Sequence, residues 1–146
     1  MVSKGNWKGK SFLTWSEIES QVQILSTKIK KTGFEFDKIA TVSRGGLVPA
    51  RLVADHFDIK KILVDKKKIL GGTLFVDDIY DSGDTFQKIF QVVDEPTNFL
   101  YATLMVRKGV KHPKQLVYAK KTLGSEYVVF PWDKLESKRA HKSIKD

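Results

Sequence analysis

The chain has 146 residues and no cysteine, and its 26 Lys and Arg against 17 Asp and Glu give a formal net charge of +9. That length suits one domain around a single core, without room for two, and the missing cysteine excludes disulfides and thiolate-bound metals. No apolar run approaches the ~20 residues needed to cross a membrane, and Met1 to Trp7 lack the apolar segment of a secretion signal, so the expected location is the cytoplasm. The charge suits polyanions, nucleic acid included. Much of it sits in runs such as Lys66-Lys67-Lys68, Lys120-Lys121 and a basic tail from about Lys134. Such runs are usually solvated faces and lysine-rich termini usually fray, so nucleic acid is not the expected partner.

In chain order, Thr14-Trp15-Ser16-Glu17 has the spacing of a capping box, with Leu13 placed to staple onto Ile18. Ile18, Val22, Leu25 and Ile29 then form one helical stripe that stops before Gly33. A strand is expected at 38–42, running into Ser43-Arg44-Gly45-Gly46 and a helix over 48–57 with Pro49 in its first turn. Another strand is expected at 61–65. After Gly71-Gly72 the apolar run Leu74-Phe75-Val76 reads as a strand at 73–77, buried on both faces of a parallel sheet, with Asp77 and Asp78 at its carboxyl end. That edge is where open α/β sheets bind ligands.

Asp81-Ser82-Gly83-Asp84-Thr85 follows, a turn of small residues whose backbone N–H groups can converge on a phosphate, opening a helix expected over 84–93. Strands are expected at 100–106, 116–119 and 126–130. Strands alternating with helices imply a mainly parallel sheet with right-handed crossovers. The bland alternative for this stretch is an ordinary strand-turn-helix with acidic residues at a helix N-terminus, and Arg-Gly-Gly taken alone reads equally as an ordinary turn. His56, His112 and His141 have no metal-like partners at fixed spacing.

The stretch Thr73-Leu-Phe-Val-Asp-Asp-Ile-Tyr-Asp-Ser-Gly-Asp-Thr85 resembles the phosphoribosyl diphosphate (PRPP) signature of the type I phosphoribosyltransferases. The Ser-Arg-Gly-Gly loop resembles the pyrophosphate loop of the purine members, and Tyr127-Val-Val-Phe-Pro-Trp-Asp133 the hood of the bacterial xanthine-guanine enzymes. The resemblance implies a single α/β domain spanning 1–146, a mainly parallel sheet flanked by helices under a small hood. It implies transfer of the 5-phosphoribosyl group from PRPP to N9 of a 6-oxopurine, with Mg²⁺ as cofactor, PRPP and a purine base as partners, and a homodimer or homotetramer.

By the same resemblance Asp77 and Asp78 meet the ribose hydroxyls or the metal, through water or directly. Asp81, Ser82, Gly83, Asp84 and Thr85 hold the 5′-phosphate, and Ser43, Arg44, Gly45 and Gly46 the pyrophosphate. Asp81 is the catalytic aspartate near the purine N7. Tyr127 stacks on the base beside Val128, with core packing as the alternative for Tyr127. Lys108 meets the 6-oxo group, with Arg107 in its place if the register shifts by one.

One departure stands out. Related enzymes carry two long strands and a flexible lid between the pyrophosphate loop and the acidic pair, whereas here only residues 51–76 intervene. The lid is expected to be shortened or missing, with Lys66 to Lys68 as a reduced phosphate clamp, cover borrowed from a neighbouring subunit, or weak transfer that leaks PRPP to hydrolysis as the alternatives. The alternative function is a PRPP- or nucleotide-binding sensor without catalysis.

Overall fold

The structure is a computed structural model that describes residues 9–138. The readings of Met1 to Trp7, of His141 and of most of the basic tail lie outside them.

Helix α1, Trp15–Thr32, begins and ends where its sequence dictates. Thr14 Oγ1 accepts the Glu17 N–H at 3.1 Å and Glu17 Oε1 accepts the Thr14 N–H at 2.9 Å, closing the capping box. Gly33 terminates the helix at φ 73°, a conformation open to glycine without steric cost. The main sheet has five strands, all parallel, in the order β3 (Ile62–Val64), β2 (Lys38–Thr41), β4 (Thr73–Tyr80), β5 (Phe99–Val106), β6 (Leu116–Lys121). Helix α2, Leu47–Phe57, follows β2, and α3, Asp84–Phe90, follows β4.

Side chains alternate across the sheet. Ile39, Leu74, Val76, Leu100, Ala102 and Leu104 pack under α1 and α2. Ala40, Phe75, Phe99 and Tyr101 pack on the other face with Phe86 of α3. Chain order runs outward in opposite directions from β2 and from β4, so crossovers of one hand place α2 and α3 on opposite faces. The gap between β2 and β4 is the topological switch point, where such sheets bind their ligands.

Two expectations are corrected and one strand is added. Strand β4 continues to Tyr80, pairing Asp77 with Thr103, Ile79 with Met105 and Tyr80 with Val106, so the acidic pair sits within the strand. The buried length of β5 supplies a partner that β2, ending at Thr41 opposite Val76, does not. Helix α3 stops at Phe90, because Val93 bridges to Ile69 and the Asp94 N–H bonds the Ile69 carbonyl at 2.9 Å, drawing the chain out of the helix. Finally, β7 (Tyr127–Val129) pairs in parallel with β1 (Lys10–Phe12), a strand without sequence signal, to form the small hood.

No helix among the described residues is long and apolar enough to cross a membrane.

Candidate functional site

Because β2 ends at Thr41 while β4 runs on, Asp77 and Asp78 stand clear of their neighbour and face the 42–46 loop. Thr41 ties the two strands at that point, its hydroxyl donating to the Val76 carbonyl at 2.6 Å. A cleft of about 300 Å³ opens there, lined by Ser43, Gly45, Asp77, Asp78 and every residue from Tyr80 to Phe86. The acidic pair, the phosphate-type loop and one arm of the glycine loop therefore share one cavity.

The acidic pair is buried and internally bonded. Asp77 Oδ1 accepts the Asp78 N–H at 2.8 Å, Asp77 Oδ2 accepts the Tyr101 hydroxyl at 3.1 Å, and Asp78 Oδ1 accepts the Ile79 N–H at 2.7 Å. Burial pushes the Asp77 carboxyl up, against the hydrogen bonds from Asp78 and Tyr101. Burial and then the charge of Asp77 push Asp78 well up. Two carboxyls pressed together in this way gain by meeting a cation. Among the described residues no group of three His, Cys, Asp or Glu side chains could hold a metal. A hard divalent cation that keeps several waters needs only one or two carboxylates from the protein, a demand that the pair could meet.

In the glycine loop, a Cβ on Gly45 would come 2.7 Å from Asp78 Oδ2, so only glycine lets the loop lie against the acidic pair. Gly46 is packed against Thr41 and the carbonyls of Val76 and Val42 rather than presented to the cleft. The Ser43–Arg44 peptide is cis. Both donors of Ser43 are already engaged by Asp65, its N–H by Oδ1 at 2.8 Å and its hydroxyl by Oδ2, and those bonds hold the Asp65 carboxyl below its ordinary range. Arg44 pairs with Glu136 at 3.4 Å with both side chains exposed, a contact of small worth.

In the second loop Gly83 has φ 91°, and Ser82 Oγ accepts the Asp84 N–H at 3.3 Å. Asp81 faces Arg107: Nε donates to Oδ1 at 3.0 Å and Nη2 to Oδ2 at 3.3 Å. The Arg107 side chain is 9% exposed, whereas Lys108 is exposed and contributes a backbone N–H to Thr122 Oγ1 at 3.0 Å. The structure thus brings Arg107, not Lys108, to Asp81.

Tyr127 is half-buried at the start of β7. Val128 points into the core, which leaves only its backbone for a ligand. Trp132 is a packing residue, its ring stacked on Phe130 at 5.0 Å and tilted against Trp15 at 5.7 Å.

Asp65 carried no motif signal and Asp133 only its place at the end of the hood stretch, yet Asp65 bonds Ser43 of the glycine loop and Asp133 lies near enough to Asp78 to feel its charge. Burial, then Asp78 and Glu136, raise the Asp133 carboxyl to about 6, against Arg44. The same Asp133, Glu136 and Asp78, added to burial, raise the Tyr127 phenol. A carboxyl whose folded pKa exceeds its unfolded value costs nothing below the unfolded pKa, and destabilises increasingly as pH rises through the folded one. Asp133→Asn should therefore gain stability over the wild type as pH is raised from about 4 to about 7. Paired thermal melts across that range check this; a constant offset would remove Asp133 as the titrating group.

No family model matches the chain. It is 24% identical over 140 residues to the xanthine-guanine phosphoribosyltransferase of Nitratidesulfovibrio vulgaris (strain DP4), an alignment covering 83% of each chain. Among solved structures it superposes on the Helicobacter pylori xanthine-guanine-hypoxanthine phosphoribosyltransferase with TM-score 0.74 at 17% identity, covering 90% of this chain and 99% of that one. A hypothetical protein from Neisseria gonorrhoeae with bound ppGpp superposes with TM-score 0.68 at 20% identity, covering 94% and 96%. The fold is that of the type I phosphoribosyltransferase superfamily. In sequence the chain is similar, at low identity, to curated xanthine-guanine phosphoribosyltransferases.

Proposed function

We propose that the protein is a phosphoribosyltransferase that moves the 5-phosphoribosyl group of PRPP to N9 of a 6-oxopurine, guanine, xanthine or hypoxanthine, and releases pyrophosphate. The observation that carries this reading is the convergence of Asp77, Asp78, Gly45 and the 81–85 loop on one cleft at the switch point. The curated relatives, named as xanthine-guanine phosphoribosyltransferases, support it.

The 5′-phosphate lies in the 81–85 loop, bonded by backbone N–H groups and the hydroxyls of Ser82 and Thr85. Asp77 and Asp78 accept from the ribose hydroxyls or from metal-bound water. Mg²⁺, bound with PRPP, would neutralise charge on the diphosphate. The pyrophosphate end lies on the glycine loop, where Arg44 exchanges Glu136 for the leaving group, an interaction that strengthens as charge develops. The bond from N9 to C1′ forms as the bond from C1′ to the pyrophosphate oxygen breaks, and its electron pair leaves with pyrophosphate. The N7 proton passes to Asp81, whose oxygens keep lone pairs beyond those used by Arg107. Arg107 beside it offers a donor to the 6-oxo acceptor and opposes the amino group of adenine. Tyr127 covers the base from the hood.

The connector from Asp65 to Gly72 replaces the family's lid with a short strap. Asp65 grips Ser43 at one end, and at the other the Gly71 N–H bonds Asp94 Oδ1 at 2.7 Å. Lys66, Lys67 and Lys68 between them are exposed, and their charge suits phosphate. So short a cover favours one second reading, a PRPP- or nucleotide-binding sensor.

The deciding experiment incubates the protein with PRPP and Mg²⁺ against guanine, xanthine, hypoxanthine, adenine, orotate and uracil, and separates nucleotide from free ribose 5-phosphate. A 6-oxopurine nucleotide is the expected product. Thermal stabilisation by PRPP without turnover would replace the transferase with the sensor.

A further inference from the structure

Arg107 is bonded more completely than reading a base requires. Its backbone N–H donates to the Tyr80 carbonyl at 2.8 Å, fixing it against the end of β4. Its guanidinium meets both oxygens of Asp81, and Nη1 donates to the carbonyls of Gly124 at 3.1 Å and Glu126 at 2.6 Å. A guanidinium has five N–H donors in a fixed plane. Four are thus committed, two to the first residue of the phosphate-type loop and two to the chain just ahead of Tyr127.

The 122–126 loop is itself braced for this contact. Thr122 Oγ1 donates to the Gly124 carbonyl at 2.9 Å and accepts the Lys108 N–H at 3.0 Å. The Glu126 carboxylate accepts the N–H groups of Leu123 at 3.0 Å and Gly124 at 2.7 Å. Partial burial pushes the Glu126 carboxyl up, yet those N–H groups and the charge of Arg107 offset it, so that Glu126 stays anionic. The loop cannot shift its carbonyls without breaking its own bonds, and the Arg107 plane cannot turn without losing a partner at one end.

We infer that Arg107 is a positioning residue that couples the two halves of the site, so that a phosphate in the 81–85 loop and a purine under the hood bind with positive cooperativity. This rests on the reading given under Proposed function. A phosphate that orders the loop fixes Asp81. Asp81 then fixes the guanidinium, and the guanidinium fixes the carbonyls that set the start of β7 and Tyr127. A ligand at either end thus favours the same bonded arrangement at the other, and the coupling is reciprocal by linkage.

The test measures calorimetric affinity for hypoxanthine, guanine and xanthine with and without saturating ribose 5-phosphate, a ligand that fills the phosphate loop without reacting. Wild-type protein should bind its base about tenfold more tightly in its presence, within the ordinary range of such couplings. Arg107→Lys keeps the charge but not the planar fork, and Thr122→Val keeps Arg107 and Asp81 themselves while removing the hydroxyl that braces the Gly124 carbonyl and accepts the Lys108 N–H. In both, the factor should fall to about twofold or less while ribose 5-phosphate still binds, an outcome that a general loss of structure would not produce. Wild-type binding of both ligands without coupling, or variants that keep the full factor, overturns the inference alone. A wild-type protein that binds neither ligand overturns the phosphoribosyl reading and the inference with it.

Discussion

Asp81→Asn should lower turnover by at least about tenfold and leave PRPP affinity little changed, since general acid–base assistance contributes roughly 10²–10⁴-fold. The side chain keeps its shape and one acceptor for Arg107 Nε, now at 3.0 Å from Oδ1. The other oxygen becomes an amide that can only donate, so it can no longer take the N7 proton. On the proposed reading the 5′-phosphate contacts belong to the backbone of the 81–85 loop and to the hydroxyls of Ser82 and Thr85, which the substitution does not touch. A direct binding titration with PRPP beside single-turnover rates separates these effects. Unchanged turnover would remove Asp81 from the chemistry; a parallel collapse of PRPP binding would show that the amide had disturbed the loop through Arg107.

That separation depends on details of different legibility in the sequence. The phosphate-type loop and the glycine loop were readable because backbone demands leave signatures: Gly83 must adopt φ 91° and Gly45 must admit Asp78, and no other residue type meets either demand cheaply. The first helix was readable because its capping box, apolar stripe and terminal glycine agree with one another. Where an element's ends depend on its neighbours, sequence says less. All eight residues of β5 are buried, so it has no inside-outside alternation to show which residue after Val106 turns inward. The resemblance puts Lys108 first there and Arg107 only after a one-residue shift, whereas it is Arg107 that buried partners from Asp81 and the 122–126 loop hold inward. Likewise β1 has a single apolar side chain, Phe12, which is exposed, and it exists because Tyr127 to Val129 offer it an edge.

Gly83→Ala should cost both stability and PRPP affinity, the latter by about tenfold or more. Two effects combine at this position. A residue with a side chain held near φ 91° carries a left-handed penalty of roughly 1–2 kcal/mol. The added Cβ would also meet the Tyr80 hydroxyl at 2.6 Å and its ring carbon at 3.1 Å. Tyr80 has little freedom to retreat: it is 6% exposed, and its ring lies between Phe86 at 6.2 Å and His112 at 6.5 Å. The loop must therefore rise off the tyrosine, and its N–H groups lose their common focus. Gly33→Ala isolates the first effect, because Gly33 has φ 73° and nothing lies within 4 Å of its Cβ position. Pairing Gly83→Ala with Tyr80→Phe relieves the 2.6 Å contact but not the backbone. The double variant should recover part of the stability lost, down to about the Gly33→Ala level, together with part of the PRPP affinity. If Gly83→Ala alone melts no lower than Gly33→Ala and binds PRPP as the wild type does, the loop is not held by Tyr80 and does not grip the phosphate through its backbone.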